Sequence, residues 1–265
     1  MDIDQVIILA IVQGLTEFLP VSSSAHLILI PLALGWPDQG LVFDVAVHLG
    51  SLIAVLVYFR HEVAAMMLAW GRSLAGGDIT ADSRLAWWVI LGAIPAVLVG
   101  FLFIDIIETE LRSPWVIAIA TIVFGMLLWV ADLGKSKVRN ESQLKLSDVV
   151  IIGCFQVLAL IPGTSRSGIT ITAGLMLGLT RRAAARYSFL LSIPIIIASG
   201  SLQTLELLQA SHAIDWLALF FAFGLSALSA GICIHLFLGL IEKIGMLPFV
   251  IYRLLLGAIL IALIV

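Results

Sequence analysis

From Trp216 to Leu238 the chain runs for 23 residues without an Asp, Glu, Lys or Arg. Five further apolar runs, at 43–59, 86–104, 115–131, 188–209 and 247–264, carry at most one charged residue each. A helix needs about 20 such residues to cross the hydrocarbon core. The runs lack strand alternation, and lipid satisfies no backbone polar group, so helices are the spanning element. The fold class is therefore all-α, an integral membrane protein. Composition agrees: 12% of the 265 residues are charged and 62% are hydrophobic, against roughly 25% charged in soluble domains.

A formal charge of −3 without a basic stripe excludes a nucleic-acid partner. The opening MDIDQV is acidic where a signal peptide would be basic, so the first apolar segment is expected to stay attached. Cys154 and Cys233 lie far apart in apolar runs and read as free buried thiols.

Two regions depart from the pattern. In 3–36 and 149–178 an apolar run meets a polar break containing Pro, and a second apolar piece follows that is too short to span. Ser24–Leu34 reaches only about 16 Å as a helix, roughly half the core. Both regions read as re-entrant helix hairpins, a form tolerated where broken backbone is buried in protein. The alternative is two tilted short spans in each region; read as hairpins, they leave six full transmembrane helices.

Lys and Arg accumulate on the cytoplasmic side. Eleven of them, from Arg60 to Lys243, fall to one side of the six spans, and Arg112 alone falls to the other. This puts both termini outside, with the first hairpin entering from outside and the second from the cytoplasm. The hairpins are also alike in sequence: QGLTEFLPVSSSAH from Gln13 and QVLALIPGTSRSGIT from Gln156 both run from Gln through apolar residues to Pro and then to hydroxyls. Opposite entry with internal similarity marks an inverted repeat, whose site lies where the broken elements meet. The repeats are 1–133 and 148–265, joined by the charged loop 132–148, in a single membrane domain.

Gln13 and Glu17 share a helix face one turn before Pro20, which ends that helix. Ser22, Ser23 and Ser24 follow at the start of the next, with His26 on the face of Ser23. The second break offers Gly163 at the turn, Thr164, Ser165 and Ser167 as hydroxyls, and Arg166. Helix N-termini with an arginine suit a phosphate or diphosphate. Glu17 would repel that anion unless it holds a divalent cation or transfers a proton. A Ser beside a His offers assisted nucleophilic attack. The plain alternatives are helix caps for the serines and a hairpin-locking pair for Glu17 and Arg166. His48, with Asp44 one turn earlier, reads as structural, as do His61, His212 and His235.

These motifs resemble those of the undecaprenyl-diphosphate phosphatase family of bacterial inner membranes, the bacitracin-resistance proteins. QGLTEFLPVSSSAH matches the family's E/Q-x-x-x-E and P-V-S-S motif, and Pro162–Thr170 matches P-G-x-S-R-S-x-x-T. FDVAVHLGSLIAVLVYFR and RYSFLLSIP are also similar to family segments. The resemblance implies hydrolysis of undecaprenyl diphosphate to undecaprenyl phosphate and phosphate, serving cell-wall synthesis, at a site opening to the outer face. It implies a divalent cation, Mg²⁺ or Ca²⁺, held by Glu17 and Gln13. It further implies Ser23 as nucleophile, His26 as its base or acid, and Arg166 as the clamp on phosphoryl charge. Ser22, Gly163, Thr164, Ser165, Ser167 and Thr170 would bind the phosphates. Gln13 stands where many members carry a second Glu, which puts two-carboxylate coordination in doubt. Ser22 and a metal-bound water remain alternative nucleophiles. Bacitracin would compete for the lipid, and a homodimer is compatible with the pattern. The competing class is an inverted-repeat transporter or flippase for an anionic lipid phosphate.

Overall fold

The computed structural model describes residues 1–111, 113–134, 137–209 and 215–264. Arg112, Lys135 and His212, used in the reading above, lie outside the described residues. In chain order the helices are α1 (Ile3–Phe18), α2 (Ser23–Leu34), α3 (Gly40–Tyr58), α4 (Arg60–Leu74), α5 (Ala81–Leu102) and α6 (Ile104–Thr109), followed by α7 (Pro114–Leu133), α8 (Leu146–Val157), α9 (Arg166–Met176), α10 (Arg181–Gln209), α11 (Trp216–Ile244) and α12 (Leu247–Ile264). Among the described residues no strand forms, and one isolated bridge joins Arg139 to Leu179.

Six of these helices, α3, α5, α7, α10, α11 and α12, are long and apolar enough to cross a membrane. They fall on the six runs read from the sequence, with α10 starting seven residues early at Arg181 and α11 running on to Ile244. Side chains such as Phe220, Leu228, Leu255 and Leu263 stand exposed on them. Apolar surface of that extent is normal only against lipid, and the protein is a multi-pass membrane protein. Segment 60–85, which carries no spanning run, contains α4; Met66 is its buried residue, while Met67, Leu68 and Leu74 stand exposed among its charged side chains. A short amphipathic stretch without caps or Pro gives no spanning signal, which is why the hydropathy pattern passed over it.

The two broken regions form helix–break–helix units. Leu19, before Pro20, is extended at φ −73° and ψ 147°, which ends α1. In the second unit a single 3₁₀ turn, Leu158–Leu160, precedes the Pro162–Gly163 turn. The chain re-enters helix at α2 and α9, each too short to span: 12 and 11 residues.

Around these units α10 is the most enclosed of the six spanning helices; Ala185, Tyr187, Phe189, Leu190 and Leu191 are at most 1% exposed. A helix apolar on all sides belongs at the centre. Glycines let α11 approach closely. A Cβ at Gly14 would lie 2.0 Å from Ser229 Oγ, and one at Gly50 would lie 2.4 Å from the Phe223 carbonyl oxygen, the small-residue packing of membrane helices. At one end of the bundle charged side chains tie helix termini together. Arg186 donates to Glu141 (2.7 Å) and Glu62 (2.8 Å), Arg181 donates to Asp132 (2.7 Å), and Arg139 pairs with Asp148. Three of the Lys and Arg residues counted on one side in the sequence, Arg139, Arg181 and Arg186, take part in these bonds.

Candidate active site

The two breaks share a backbone device. Ser22 and Ser165, the residues preceding α2 and α9, have φ of 76° and 70°, and they are the non-glycine residues with positive φ among the described residues. That region is costly for a residue with a Cβ and persists only when surroundings enforce it. Each stands nine residues after its Gln, Gln13 or Gln156. Each hydroxyl meets the hydroxyl two residues on, Ser22 with Ser24 at 3.3 Å and Ser165 with Ser167 at 3.2 Å. Ser165 also caps α9, accepting from the Gly168 N–H at 3.1 Å.

Both new helices then send their first side chain to one carboxylate. Ser23 Oγ donates to Glu17 Oε2 at 2.7 Å, and Arg166 Nη2 donates to Glu17 Oε1 at 2.9 Å. Gln13 Nε2 adds a third bond to Oε2 at 3.0 Å. The Glu17 and Arg166 side chains are 8% and 12% exposed. Such an enclosed ion pair needs further hydrogen bonds to offset desolvation. Arg166 has them: its Nη1 donates to the Ser188 carbonyl at 3.0 Å, and its guanidinium lies 5.9 Å from the Phe18 ring centre. Two of its five N–H donors are used in these bonds, leaving others for an anion.

A cavity of about 170 Å³ opens beside this cluster, lined by Glu17, Ser22, Ser23, Ser24, His48 and Arg166, with Ser165 and Ser199 at its edge. It suits a phosphoryl head rather than a prenyl chain. A larger groove of about 790 Å³ between α3 and α11 is mostly apolar, with Arg60, Tyr58 and His235 among its lining side chains. It gathers no convergent polar set, so the smaller cavity is the chemical site.

Several residues assigned to the site stand behind it. Gly163 turns its carbonyl to Arg253 at 2.9 Å. Ser167 donates to the Leu19 carbonyl at 2.7 Å, and Thr170 meets Ser188 Oγ at 2.7 Å. Thr164 is fully buried and its hydroxyl has no partner. These four support the breaks and do not line the cavity. The expected pairing of His26 with Ser23 is also absent. His26 Nδ1 meets the Ser22 carbonyl at 2.7 Å, so that nitrogen carries the proton, and Nε2 takes the Tyr252 hydroxyl. Both ring nitrogens are engaged, and neither with Ser23. The ring also stacks on Tyr252, with centres 5.6 Å apart.

His48 takes the place beside the cluster. Its Nδ1 bonds the Asp44 carbonyl at 2.7 Å, the structural role expected, while Nε2 faces Glu17 Oε2 at 3.8 Å across the cavity. Sequence reasoning also passed over Tyr252 and Arg253 on α12. Arg253 is a charge inside a span, the usual flag of function in a membrane, which is the signal that could have found it.

Residues 6–259 match the family model described as bacitracin resistance protein BacA. Undecaprenyl-diphosphatase 2 of Stutzerimonas stutzeri (strain A1501) is 60% identical over 266 residues, covering 99% of this chain and 98% of the relative. Undecaprenyl-diphosphatase 1 of Pseudoalteromonas translucida (strain TAC 125) is 57% identical, covering 97% of both. The undecaprenyl-diphosphatase of Teredinibacter turnerae (strain ATCC 39867 / T7901) is also 57% identical, covering 98% of both.

Proposed function

Because the chain belongs to the bacitracin resistance protein BacA family, we propose that it is an undecaprenyl-diphosphate phosphatase, a membrane hydrolase that releases the terminal phosphate and regenerates undecaprenyl phosphate. The observation that carries this reading is the convergence of Ser23 and Arg166, from two separate breaks, on Glu17 at the cavity. A passive anion path gains nothing from a carboxylate there, so the transporter reading is not favoured.

In the proposed reaction Ser23 Oγ bonds to the terminal phosphorus and its proton passes to Glu17 Oε2, the group it already touches. The anhydride P–O bond breaks and undecaprenyl phosphate departs with the electron pair, a stable leaving group that needs little protonation. Water then attacks the phosphoserine, the Ser23 oxygen departs and regains its proton from Glu17, and both hydrogens of the water leave with phosphate. Phosphoryl transfer is mostly positioning and charge stabilisation. Arg166 supplies planar donors to the phosphoryl oxygens, and the α2 and α9 N-termini supply N–H groups. His26, held between the Ser22 carbonyl and Tyr252, orients the α2 turn.

The residues fit a hard divalent cation, Mg²⁺ or Ca²⁺. Gln13 presents Nε2 to Glu17, and its Oε1 is buried without a partner; with that amide turned over, its oxygen, the Glu17 carboxylate and the Ser23 hydroxyl would form an all-oxygen set of the kind such ions take. Gln13 and Glu17 would hold the ion, which when bound neutralises phosphate charge as a Lewis acid.

The placement proposed is the bacterial inner membrane, with both termini and the cavity mouth outward; the lopsided Lys and Arg distribution supports it. The architecture proposed is an inverted repeat with re-entrant hairpins. Packing supports it. Exchanging α1, α2, α3, α5 and α7 for α8, α9, α10, α11 and α12 converts α1 on α11 into α8 on α5, and α3 on α11 into α10 on α5, all of them observed contacts. Competition by bacitracin for the lipid and a homodimeric state complete the reading. Phosphate release from undecaprenyl diphosphate by the purified protein, with and without chelator, tests it. Release abolished by chelator and restored by Mg²⁺ or Ca²⁺ is expected; no release with either ion would sink the activity.

A further inference from the structure

Arg253, in the middle of α12, is the largest fully buried side chain among the described residues, at 0% exposure. It has no carboxylate partner among its bonds. Its guanidinium donates to four carbonyls instead. Nε reaches Thr121 at 3.0 Å, Nη1 reaches Pro20 at 3.3 Å, and Nη2 reaches Gly163 at 2.9 Å and Ala120 at 3.4 Å. Pro20 belongs to the first break and Gly163 to the second, while Ala120 and Thr121 lie on α7. Breaking a helix inside a membrane leaves carbonyls that neither water nor the next turn can satisfy. One planar fork with five donors satisfies a carbonyl in each break at once, which the single nitrogen of Lys cannot reproduce.

Room has been left for this fork. A Cβ at Gly168, in the first turn of α9, would lie 2.9 Å from Arg253 Nη1, and one at Gly125 would lie 3.3 Å from Nε. The preceding residue, Tyr252, bonds His26, three residues after Ser23. A buried cation without a counter-charge is costly, and satisfying carbonyls alone would not require one.

Building on the proposed phosphatase reaction, we infer that Arg253 is a positioning residue: it sets the two breaks against each other so that Ser23 and Arg166 address one phosphoryl group. It touches neither Glu17 nor the cavity. Its loss therefore acts through the alignment of the two helix starts, leaving the groups that touch the phosphate in place.

The test compares wild type, Arg253→Lys and Arg253→Met in detergent, reading thermal unfolding, lipid diphosphate binding and phosphate release. Misplacement by about 1 Å costs on the order of 100-fold in rate. Arg253→Lys is expected to fold and to bind lipid with little change in KM, while kcat falls by about that factor. Arg253→Met is expected to fall further. Release within threefold of wild type in Arg253→Met, about 0.65 kcal/mol, would overturn the inference. So would loss of folded protein in both variants, which would make Arg253 a determinant of folding, or a matched rise in KM, which would make it a binding residue. If wild type itself releases no phosphate, the reaction falls first and this inference with it.

Discussion

At the scale of single residues, the site depends on where two hydrogen bonds end. Ser23 and Arg166 both terminate on Glu17, so each has a distinct effect when changed. Ser23→Ala removes the attacking oxygen but no charge; lipid diphosphate binding should persist while turnover falls by orders of magnitude, and a phosphoserine trapped in wild type should vanish. Retained turnover would return the role to Ser22 or to water. Arg166→Lys keeps the charge and loses the fork, and kcat should drop by about 100-fold with binding largely preserved; rates and binding measured on the same preparation separate the two. Much of this was legible in the sequence, because Gln13, Glu17, Ser23 and Arg166 are polar groups in apolar surroundings and such groups seldom lack a function. The partner of His26 was not legible: Tyr252 lies 226 residues away, and its hydroxyl is indistinguishable in sequence from any interfacial tyrosine.

At the scale of elements, the breaks work because rigid neighbours hold them. Helix α11 is pressed against α1 and α3 through Gly14 and Gly50, where a Cβ would collide with backbone or Ser229. Gly14→Val should therefore force α1 away from α11 and cost about 2 kcal/mol or more, read as a lowered unfolding temperature with weaker phosphate release. Unchanged stability would mean that α11 yields more easily than its packing implies. The helix boundaries themselves were close to their expected places, since Pro20, Pro162 and Gly163 act on their own backbone. Positive φ at Ser22 and Ser165 was not foreseen; a strained serine is imposed by tertiary contacts, and nothing in a hydroxyl cluster announces it.

At the scale of the whole molecule, orientation is the open quantity with a direct test. A cysteine at position 137, replacing Lys137, should resist an impermeant thiol reagent added from outside intact cells and react after permeabilisation; the reverse would invert the proposed topology and move the cavity mouth to the cytoplasm. By itself the sequence determined the membrane-embedded, all-helical character, the six spanning helices and the two broken units, because each follows from the length and polarity of continuous segments. It also determined which polar groups cluster near each break. Only the tertiary structure decided that Ser23 answers to Glu17 and not to His26, that His48 borders the cavity, and that Arg253 bridges both breaks. Ser23 and Glu17 are only six residues apart, yet the turn that brings them together is held by tertiary contacts, and Arg253 reaches backbone carbonyls of both breaks, far away in the chain. Local sequence carries no mark of a bond whose other end is set by the packing of distant helices.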